Sequence, residues 1–237
     1  MPRSKSKRRF RNFVRTLLKY GLCLLLFVLL LTVAQVAVLR FVNPPCTVII
    51  TWQWIQGEGS LRHYRWAHEH WRPLEEIASP MIKAVLAAED QRFLTHHGFD
   101  FVEMRKALGD ILSERRTRGA STISMQVART VFLWPERSLT RKVAEAYYTV
   151  LIEMLWSKGR ILEMYLNTVD WGTGIIGVEA AARRYFQTSA GRITPSQGAL
   201  LAAILPGPHR WSPTKPSRYV RERKRRIMKD MEKISLP

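Results

Sequence analysis

The sequence predicts an all-α protein with one N-terminal transmembrane helix, and three observations lead to this fold class. Residues 20–39 contain no charged side chain. Several later segments place apolar residues at the three- and four-residue spacing of an amphipathic helix, each beginning at a capping residue. No series of alternating polar and apolar residues predicts a set of strands. A hydrophobic content of 46% is enough for a core, and two cysteines exclude a disulfide scaffold or a multi-cysteine zinc module.

The N-terminal segment has the composition of a membrane anchor. About 20 apolar residues cross the ~30 Å hydrocarbon layer as a helix, so residues 20–40 are predicted to be a transmembrane helix. A cleaved signal peptide is the alternative, but its apolar region is shorter and ends in small residues, which Val38 and Leu39 are not. Residues 1–19 carry eight basic and no acidic side chains, and only Arg40 follows closely. This bias predicts a cytoplasmic N-terminus and a body outside the cytoplasm.

Residues 41–74 are expected to link the anchor to the main domain. Pro44 and Pro45 prevent the anchor helix from continuing. Residues 47–55 fit either a strand or the start of a buried helix, and the sequence leaves this choice open. Three histidines in this segment either bind a metal or lie on a wet surface, and the surface is favoured. They are His63, His68 and His70.

Residues 75–210 are predicted to form the main helical domain. The predicted helix caps are Ser79, Asp100, Ser157, Thr194 and Ser217, with capping boxes completed by Glu103 and Gln197. The predicted apolar stripes lie within residues 81–86, 104–112, 143–155 and 161–166. Residues 211–237 are predicted to be a basic C-terminal helix, whose charged face is either solvated or in contact with anionic lipid headgroups.

The net charge of +19 suggests a nucleic acid or an anionic membrane as a partner. Its distribution changes that interpretation. Residues 1–19 contribute +8 and residues 212–237 contribute +6, whereas residues 41–211 contribute only +4. The excess therefore lies in two flanks around a nearly balanced body, which favours a membrane over DNA.

Two carboxylates, Glu89 and Asp90, stand at the end of a predicted helix, where its apolar face stops. Burial beside apolar groups raises the proton affinity of an acid and suits it to acid–base chemistry; a solvated helix end is the alternative. A second carboxylate, Glu145, follows Arg141 and Lys142 by one helical turn. It is either an ordinary ion pair or the second acid of glycosyl chemistry.

Residues 119–126 combine small and hydroxyl side chains at the start of a predicted helix, after a basic loop. Free backbone N–H groups at a helix start attract an anion such as phosphate, although an ordinary capped helix fits equally well. The glycines at 172, 174 and 177 match a dinucleotide-binding pattern. They follow a predicted helix end and not a strand, so this interpretation is rejected.

Five segments in order resemble the motifs of the peptidoglycan glycosyltransferases, a domain that class A penicillin-binding proteins share with monofunctional transglycosylases. The first segment is Glu89-Asp90-x-x-Phe93-x-x-His96-x-Gly98, and the second is Gly119-Ala120-Ser121-Thr122-Ile123-Ser124-x-Gln126. The others are Arg141-Lys142-x-x-Glu145, Lys158-x-x-Ile161-Leu162-x-x-Tyr165-Leu166-Asn167 and Gly177-x-x-x-Ala181-x-x-x-Tyr185-Phe186. The resemblance covers residues 75–210. A chain of 237 residues has no room for a transpeptidase domain as well, so a monofunctional enzyme is expected.

The resemblance implies a lysozyme-like helical fold and a lipid II substrate, a disaccharide-pentapeptide carried on undecaprenyl pyrophosphate. It implies that Glu89 is the general base and that Glu145 assists on the donor side. It also implies that seven further residues contact substrate sugars and phosphates: Ser121, Thr122, Gln126, Arg129, Arg137, Arg141 and Lys142. The sequence establishes no cofactor and leaves open whether a divalent cation, Mg²⁺ or Mn²⁺, is needed.

The implied partners are lipid II, the growing glycan, the membrane and other wall-synthesis or division proteins, without nucleic acid. The implied location is the bacterial inner membrane, with one span and an extracytoplasmic catalytic domain. Met125 and Arg129 depart from the family pattern, which usually has Gln and Lys there. The second change keeps the charge but alters the donor geometry.

Three other functions remain as alternatives from the residues alone. A lytic, lysozyme-like enzyme would need one acid of raised pKa and no phosphate site. A non-catalytic division scaffold would not depend on Glu89. A DNA-binding protein would show strong, salt-sensitive affinity for DNA.

Overall fold

A computed structural model describes residues 3–45, 47–55, 70–113, 119 and 121–237. Within these residues the chain forms ten α-helices, two short 3-10 turns and no strand, so the all-α prediction is confirmed. An isolated antiparallel bridge joins Asp170 to Ile176. The chain divides into two compact units, Met1–Val42 and Asn43–Pro237.

The first unit is one helix, α1, which extends over Arg3–Leu39. Within it, Asn12–Leu39 forms the one helix in the described part of the chain that is long and apolar enough to cross a membrane. Its 28 residues extend about 42 Å at 1.5 Å per residue. The large apolar side chains from Leu17 to Leu31 lie exposed, as a lipid-facing helix requires. The unit is therefore consistent with a single-pass membrane anchor.

Helix α1 begins well before residue 20, because Arg and Lys are themselves good helix formers and allow the basic segment to continue the helix. The second unit begins with α2, Val48–Ile55, which resolves the choice left open for residues 47–55 in favour of a helix. His63 and His68 lie outside the described residues, as do the basic residues of the 114–118 loop.

Eight further helices follow. They are α3 (Ser79–Glu89), α4 (Phe101–Leu112), α5 (Ile123–Phe132), α6 (Leu139–Leu155), α7 (Lys158–Thr168), α8 (Val178–Phe186), α9 (Pro195–Ile204) and α10 (Arg218–Met231). The 3-10 turns are Leu74–Glu76 and Ala190–Arg192. Helix α3 packs against α9 and α10, while α5 packs against α2, α6 and α7. The candidate site forms where these two groups of helices meet.

Most predicted caps are confirmed. The side chains of Ser157 and Ser217 accept the predicted backbone hydrogen bonds, and Thr194 forms a complete capping box with Gln197. Two details are wrong. Ala78 is the N-cap of α3, so Ser79 is its first helical residue and Pro80 the second, a position where a missing N–H costs nothing.

The second wrong detail is the capping box at α4. Asp100 accepts hydrogen bonds from the N–H groups of Val102 and Glu103, both at 3.0 Å. The Glu103 carboxylate does not return to the cap; it pairs with Lys106 at 2.7 Å. The nearby cation is a stronger partner for a carboxylate than a neutral N–H group.

Two of the predicted apolar stripes lie in the core, and the other two lie on the surface. Side chains of α3 and α7 such as Met81, Val85, Ile161 and Leu162 are fully buried. The predicted stripes of α4 and α6 instead face outward, and their exposed members are Met104, Leu108, Ile111, Leu112, Val143, Val150 and Met154. The face of α6 that is buried consists of Arg141, Glu145, Thr149 and Ile152. Periodicity locates a stripe but does not tell which neighbour, if any, covers it.

Candidate active site

Glu89 is the last residue of α3, and its carboxylate is held from two sides. The Gln126 amide on α5 donates to Glu89 Oε2 at 3.1 Å. The Arg223 guanidinium on α10 pairs with Glu89 Oε1 at 3.2 Å and also reaches the Ala88 carbonyl oxygen at 3.4 Å. The Glu89 side chain keeps 15% of its surface exposed, so it is enclosed but reachable.

The pKa of Glu89 is raised, chiefly because burial disfavours the charged carboxylate. The hydrogen bond from Gln126 and the positive charges of Arg223 and Arg129 oppose this rise, and neighbouring Asp90 adds to it. A carboxylate whose pKa is raised by burial is a better base than an exposed one, and here it is still anchored in one orientation.

The carboxylate of Asp90 joins the loop after α3 to the start of α5. Its Oδ1 lies 2.9 Å from His96 Nε2, and its Oδ2 accepts a hydrogen bond of 3.0 Å from the N–H of Ile123 at the start of α5. Thr122, the N-cap of α5, accepts from Met125 N and donates to the Gly98 carbonyl oxygen at 2.6 Å. The start of α5 is buried and already holds the protein's own carboxylate. The N–H groups of Ile123 and Met125 are therefore not available to an exogenous phosphate.

A buried network ties the loop after Glu89 to three helices. The Lys158 ammonium, at the start of α7, donates to the His96 carbonyl oxygen at 2.7 Å and to Glu153 of α6 at 2.9 Å. The same ammonium lies 4.5 Å from the centre of the Phe93 ring. Glu153 also accepts a hydrogen bond from Ser124 of α5. Glu153 was not singled out from the sequence, because a carboxylate five residues before a lysine across a helix break has no local signature.

Glu145 forms a second charged group at the start of α6. Its carboxylate is 1% exposed and is shared by Arg141, at 2.9 Å, and Lys142. The Arg141 side chain is also buried, whereas half of the Lys142 side chain is exposed. The predicted pairing one turn apart is therefore present, with one cation inside and one cation facing solvent.

The other residues singled out from the sequence have different surroundings. Arg137 is exposed and comes just before Ser138, the N-cap of α6. Ser121 is partly exposed, whereas Thr122 is buried and its hydroxyl is used by the fold. Arg129 lies in the last turn of α5, where its charge acts on Glu89.

Two residues at Glu89 were not assigned to the site from the sequence, Arg223 and Tyr165. Arg223 belongs to the basic run of α10, yet it falls on the same face as the buried Val220 and Ile227, three and four residues away. The helical spacing of these three residues in the sequence therefore predicts that Arg223 lies on the buried face of α10. Tyr165 is buried, and its phenol oxygen lies 3.4 Å from Gln126 Oε1.

One group of side chains in the described residues has the composition of a metal site: Asp90, His96 and Asp100, with ligand atoms within 4.8 Å of one another. The carboxylates of Asp90 and Asp100 already have protein partners. Asp90 binds His96 and the α5 start, and Asp100 binds two N–H groups and the Arg92 guanidinium at 3.1 Å. A divalent cation does not fit this arrangement, because binding it would break the caps of two helices.

Comparisons with known proteins identify a matching family and similar chains. The Transglycosylase family matches residues 58–232, a range that extends beyond residues 75–210 on both sides. A biosynthetic peptidoglycan transglycosylase of Caulobacter vibrioides is 47% identical over 92% of this chain and 93% of its own length. Proteins of the same description from Chromohalobacter salexigens and Bdellovibrio bacteriovorus are 44% and 45% identical, over 93% and 92% of this chain and 95% and 87% of their own lengths.

Proposed function

We infer the roles of individual residues from the premise that this chain belongs to the transglycosylase family and is a peptidoglycan glycosyltransferase that polymerises glycan strands in cell wall synthesis. The substrate we propose is lipid II, a disaccharide-peptide on a lipid pyrophosphate, added to a growing glycan. The observation that carries the assignment of roles is the enclosed Glu89, held by Gln126 and Arg223, with a pKa raised by burial.

Glu89 is proposed as the general base. It takes the proton of the acceptor 4-hydroxyl as that oxygen forms a bond to the anomeric carbon of the donor sugar. The bond between that carbon and the pyrophosphate oxygen breaks, and the pyrophosphate leaves with the electron pair. Attack on the face opposite the leaving group inverts the anomeric centre and gives a β-1,4 linkage. Gln126 and Arg223 keep the carboxylate aimed during the transfer.

The start of α6 is proposed as the place where the departing pyrophosphate is stabilised. Arg137 is exposed just before this helix, Lys142 is half exposed in its first turn, and the helix dipole is positive at this end. Glu145 holds Arg141 and Lys142 in place, so its role on the donor side is to position cations. Cations placed where negative charge develops lower the barrier, because they need no rearrangement during the step.

Ser121 and Arg129 are proposed as further substrate contacts, and Thr122 as a residue that shapes the loop through Gly98. No step in this mechanism passes through a metal ion, since the carboxylates of Asp90 and Glu145 are occupied by protein partners. Any Mg²⁺ or Mn²⁺ is proposed to bind the substrate pyrophosphate, whose oxygens are the hard ligands that such ions prefer.

The proposed location is the bacterial inner membrane, with residues 1–19 in the cytoplasm and the catalytic unit outside. The charge bias around the apolar helix supports this orientation. The outward-facing apolar side chains of α4 and α6 support a membrane contact of the catalytic unit itself, since soluble surfaces seldom carry such stripes. A membrane position brings the enzyme to a lipid-linked substrate. Other wall-synthesis or division proteins are proposed as partners.

The proposed function is tested by supplying labelled lipid II to the purified full-length protein and to Glu89→Gln. The wild-type protein is expected to form long glycan, and the variant to lose at least 100-fold in rate, within the range of removing a general base (about 10²–10⁴-fold). Glu75→Gln, which changes an exposed acid in the Leu74–Glu76 turn, is the matched control and should polymerise normally. Polymerisation by Glu89→Gln at the wild-type rate would refute the base assignment. Shortening of preformed glycan without polymer would favour the lytic alternative.

A further inference from the structure

The side-chain amide of Gln126 can contact the Glu89 carboxylate in either of two orientations. The two ends of its amide are nearly the same size, but one donates hydrogen bonds and the other accepts them. With its NH₂ group toward Glu89, Gln126 stabilises the charged carboxylate. With its oxygen toward Glu89, it would stabilise the protonated acid, which cannot act as a base.

The far end of the Gln126 amide lies against Tyr165 of α7. The phenol oxygen is 3.4 Å from Gln126 Oε1, and Tyr165 is 2% exposed. Burial raises the pKa of Tyr165 well above its usual value, and the negative charge of Glu89 raises it further. The phenol therefore keeps its proton and can donate it to the amide oxygen.

We infer that Tyr165 is a positioning residue, which holds the Gln126 amide with its NH₂ group facing Glu89 and so keeps the base in its reactive form. The chain of hydrogen bonds runs from the Tyr165 phenol to Gln126 Oε1, and from Gln126 Nε2 to Glu89 Oε2 at 3.1 Å. It joins α7, α5 and α3. Tyr165 itself has no need to touch the substrate.

Other charged groups around Glu89 set the background for this effect. Arg129 on α5 and Arg223 on α10 lower the pKa of Glu89, and adjacent Asp90 raises it. Helix α9, which also packs against α3, carries no titratable side chain. None of these groups contains an amide that can turn over, so removal of the phenol acts through Gln126.

This inference rests on the proposed role of Glu89, and its test is the pH profile of lipid II polymerisation by full-length Tyr165→Phe. The acidic limb of kcat is expected to move to higher pH by about half to one unit, a loss of about 3- to 10-fold at low pH. KM and the rate at high pH should stay unchanged. Tyr185→Phe is the matched control: it removes a phenol that donates to the Trp171 carbonyl oxygen at 2.9 Å, away from Glu89, and should leave the limb in place.

Combining Tyr165→Phe with Gln126→Leu distinguishes a positioning role of Tyr165 from a role in packing alone. In Gln126→Leu the limb should already be shifted upward, and adding Tyr165→Phe should shift it no further. An unshifted limb in Tyr165→Phe overturns the inference, and so does an equal additional shift in the Gln126→Leu background. If Tyr165→Phe does not fold, an unshifted limb in Gln126→Leu alone overturns it. If Glu89→Gln is inactive and the acidic limb of Tyr165→Phe is unshifted, only this inference is refuted. If Glu89→Gln is active, the proposed role of Glu89 as the base is refuted.

Discussion

At the scale of single residues, the two carboxylates of the site are buried in opposite electrostatic settings. Glu89 is enclosed with one amide and the edge of one guanidinium, and burial dominates, so its pKa is raised. Glu145 is buried more deeply but shares its two oxygens between two cations. The first setting suits a group that must take up a proton. The second suits a group that holds cations in place.

Replacing Glu145 with Gln is expected to destabilise the protein strongly, because it leaves the buried Arg141 without its counter-ion. Breaking a buried pair by removing one partner costs about 3–5 kcal/mol. Glu103→Gln is the matched control, since Glu103 and Lys106 are 40% and 58% exposed, and exposed pairs contribute about 0–1 kcal/mol. Urea unfolding of both variants in detergent measures the difference. Equal losses of unfolding free energy would contradict a stabilising role for the Glu145 ion pairs.

At the scale of elements, the C-terminal helix α10 belongs to the site and not to a separate basic tail. Its buried face contains Val220, Ile227 and Met231, and the helix packs against α9 and α3. Arg223 lies on that face, so the packing of α10 delivers a guanidinium to Glu89. The exposed basic residues of the same helix, such as Arg226, remain available for solvent or lipid headgroups.

Arg223→Met is expected to move the acidic limb of polymerisation to higher pH. The positive charge of Arg223 lowers the pKa of Glu89, so its removal lets that raised pKa rise further, and less base is present at any pH below it. Each pKa unit costs about tenfold in rate at low pH, and the loss is recovered as the pH increases. Arg226→Met on the exposed face of α10 is the control and should keep the wild-type profile. A common profile for the two variants would show that the contact with Glu89 has no effect on the base.

Much of this arrangement was readable from the sequence, because caps and periodicity are local. The starts of α7, α9 and α10 follow from their N-caps Ser157, Thr194 and Ser217. Whether an apolar stripe faces the core or the surface depends on the tertiary structure and not on the local sequence. The apolar stripes of α4 and α6 lie outside. Arg141 and Glu145 lie on the buried face of α6, where their opposite charges neutralise each other. Likewise, a helix register places Arg223 on a buried face but does not name Glu89 as its partner.

At the scale of the whole molecule, the charge of +19 now has a structural distribution. The basic residues 3–19 extend the N-terminal helix beyond its apolar stretch. Others hold carboxylates of the site in place, as Arg141 and Arg223 do. The remaining exposed cations of α6 and α10 face solvent together with apolar side chains such as Val143. This combination is typical of a surface that works beside anionic headgroups.

The orientation of the chain in the membrane is expected to depend on the eight Lys and Arg residues of residues 1–19. Only Arg40 follows the apolar helix closely, so replacing all eight with Gln removes the bias that keeps the N-terminus in the cytoplasm. A C-terminal alkaline phosphatase fusion, active only outside the cytoplasm, should be active in the wild-type chain and lose most of its activity in this variant. Exchanging every Lys for Arg and every Arg for Lys keeps the charge and should keep the activity. An active fusion in the neutral variant would mean that the orientation is set by another part of the chain, and an inactive wild-type fusion would place the catalytic unit on the cytoplasmic side.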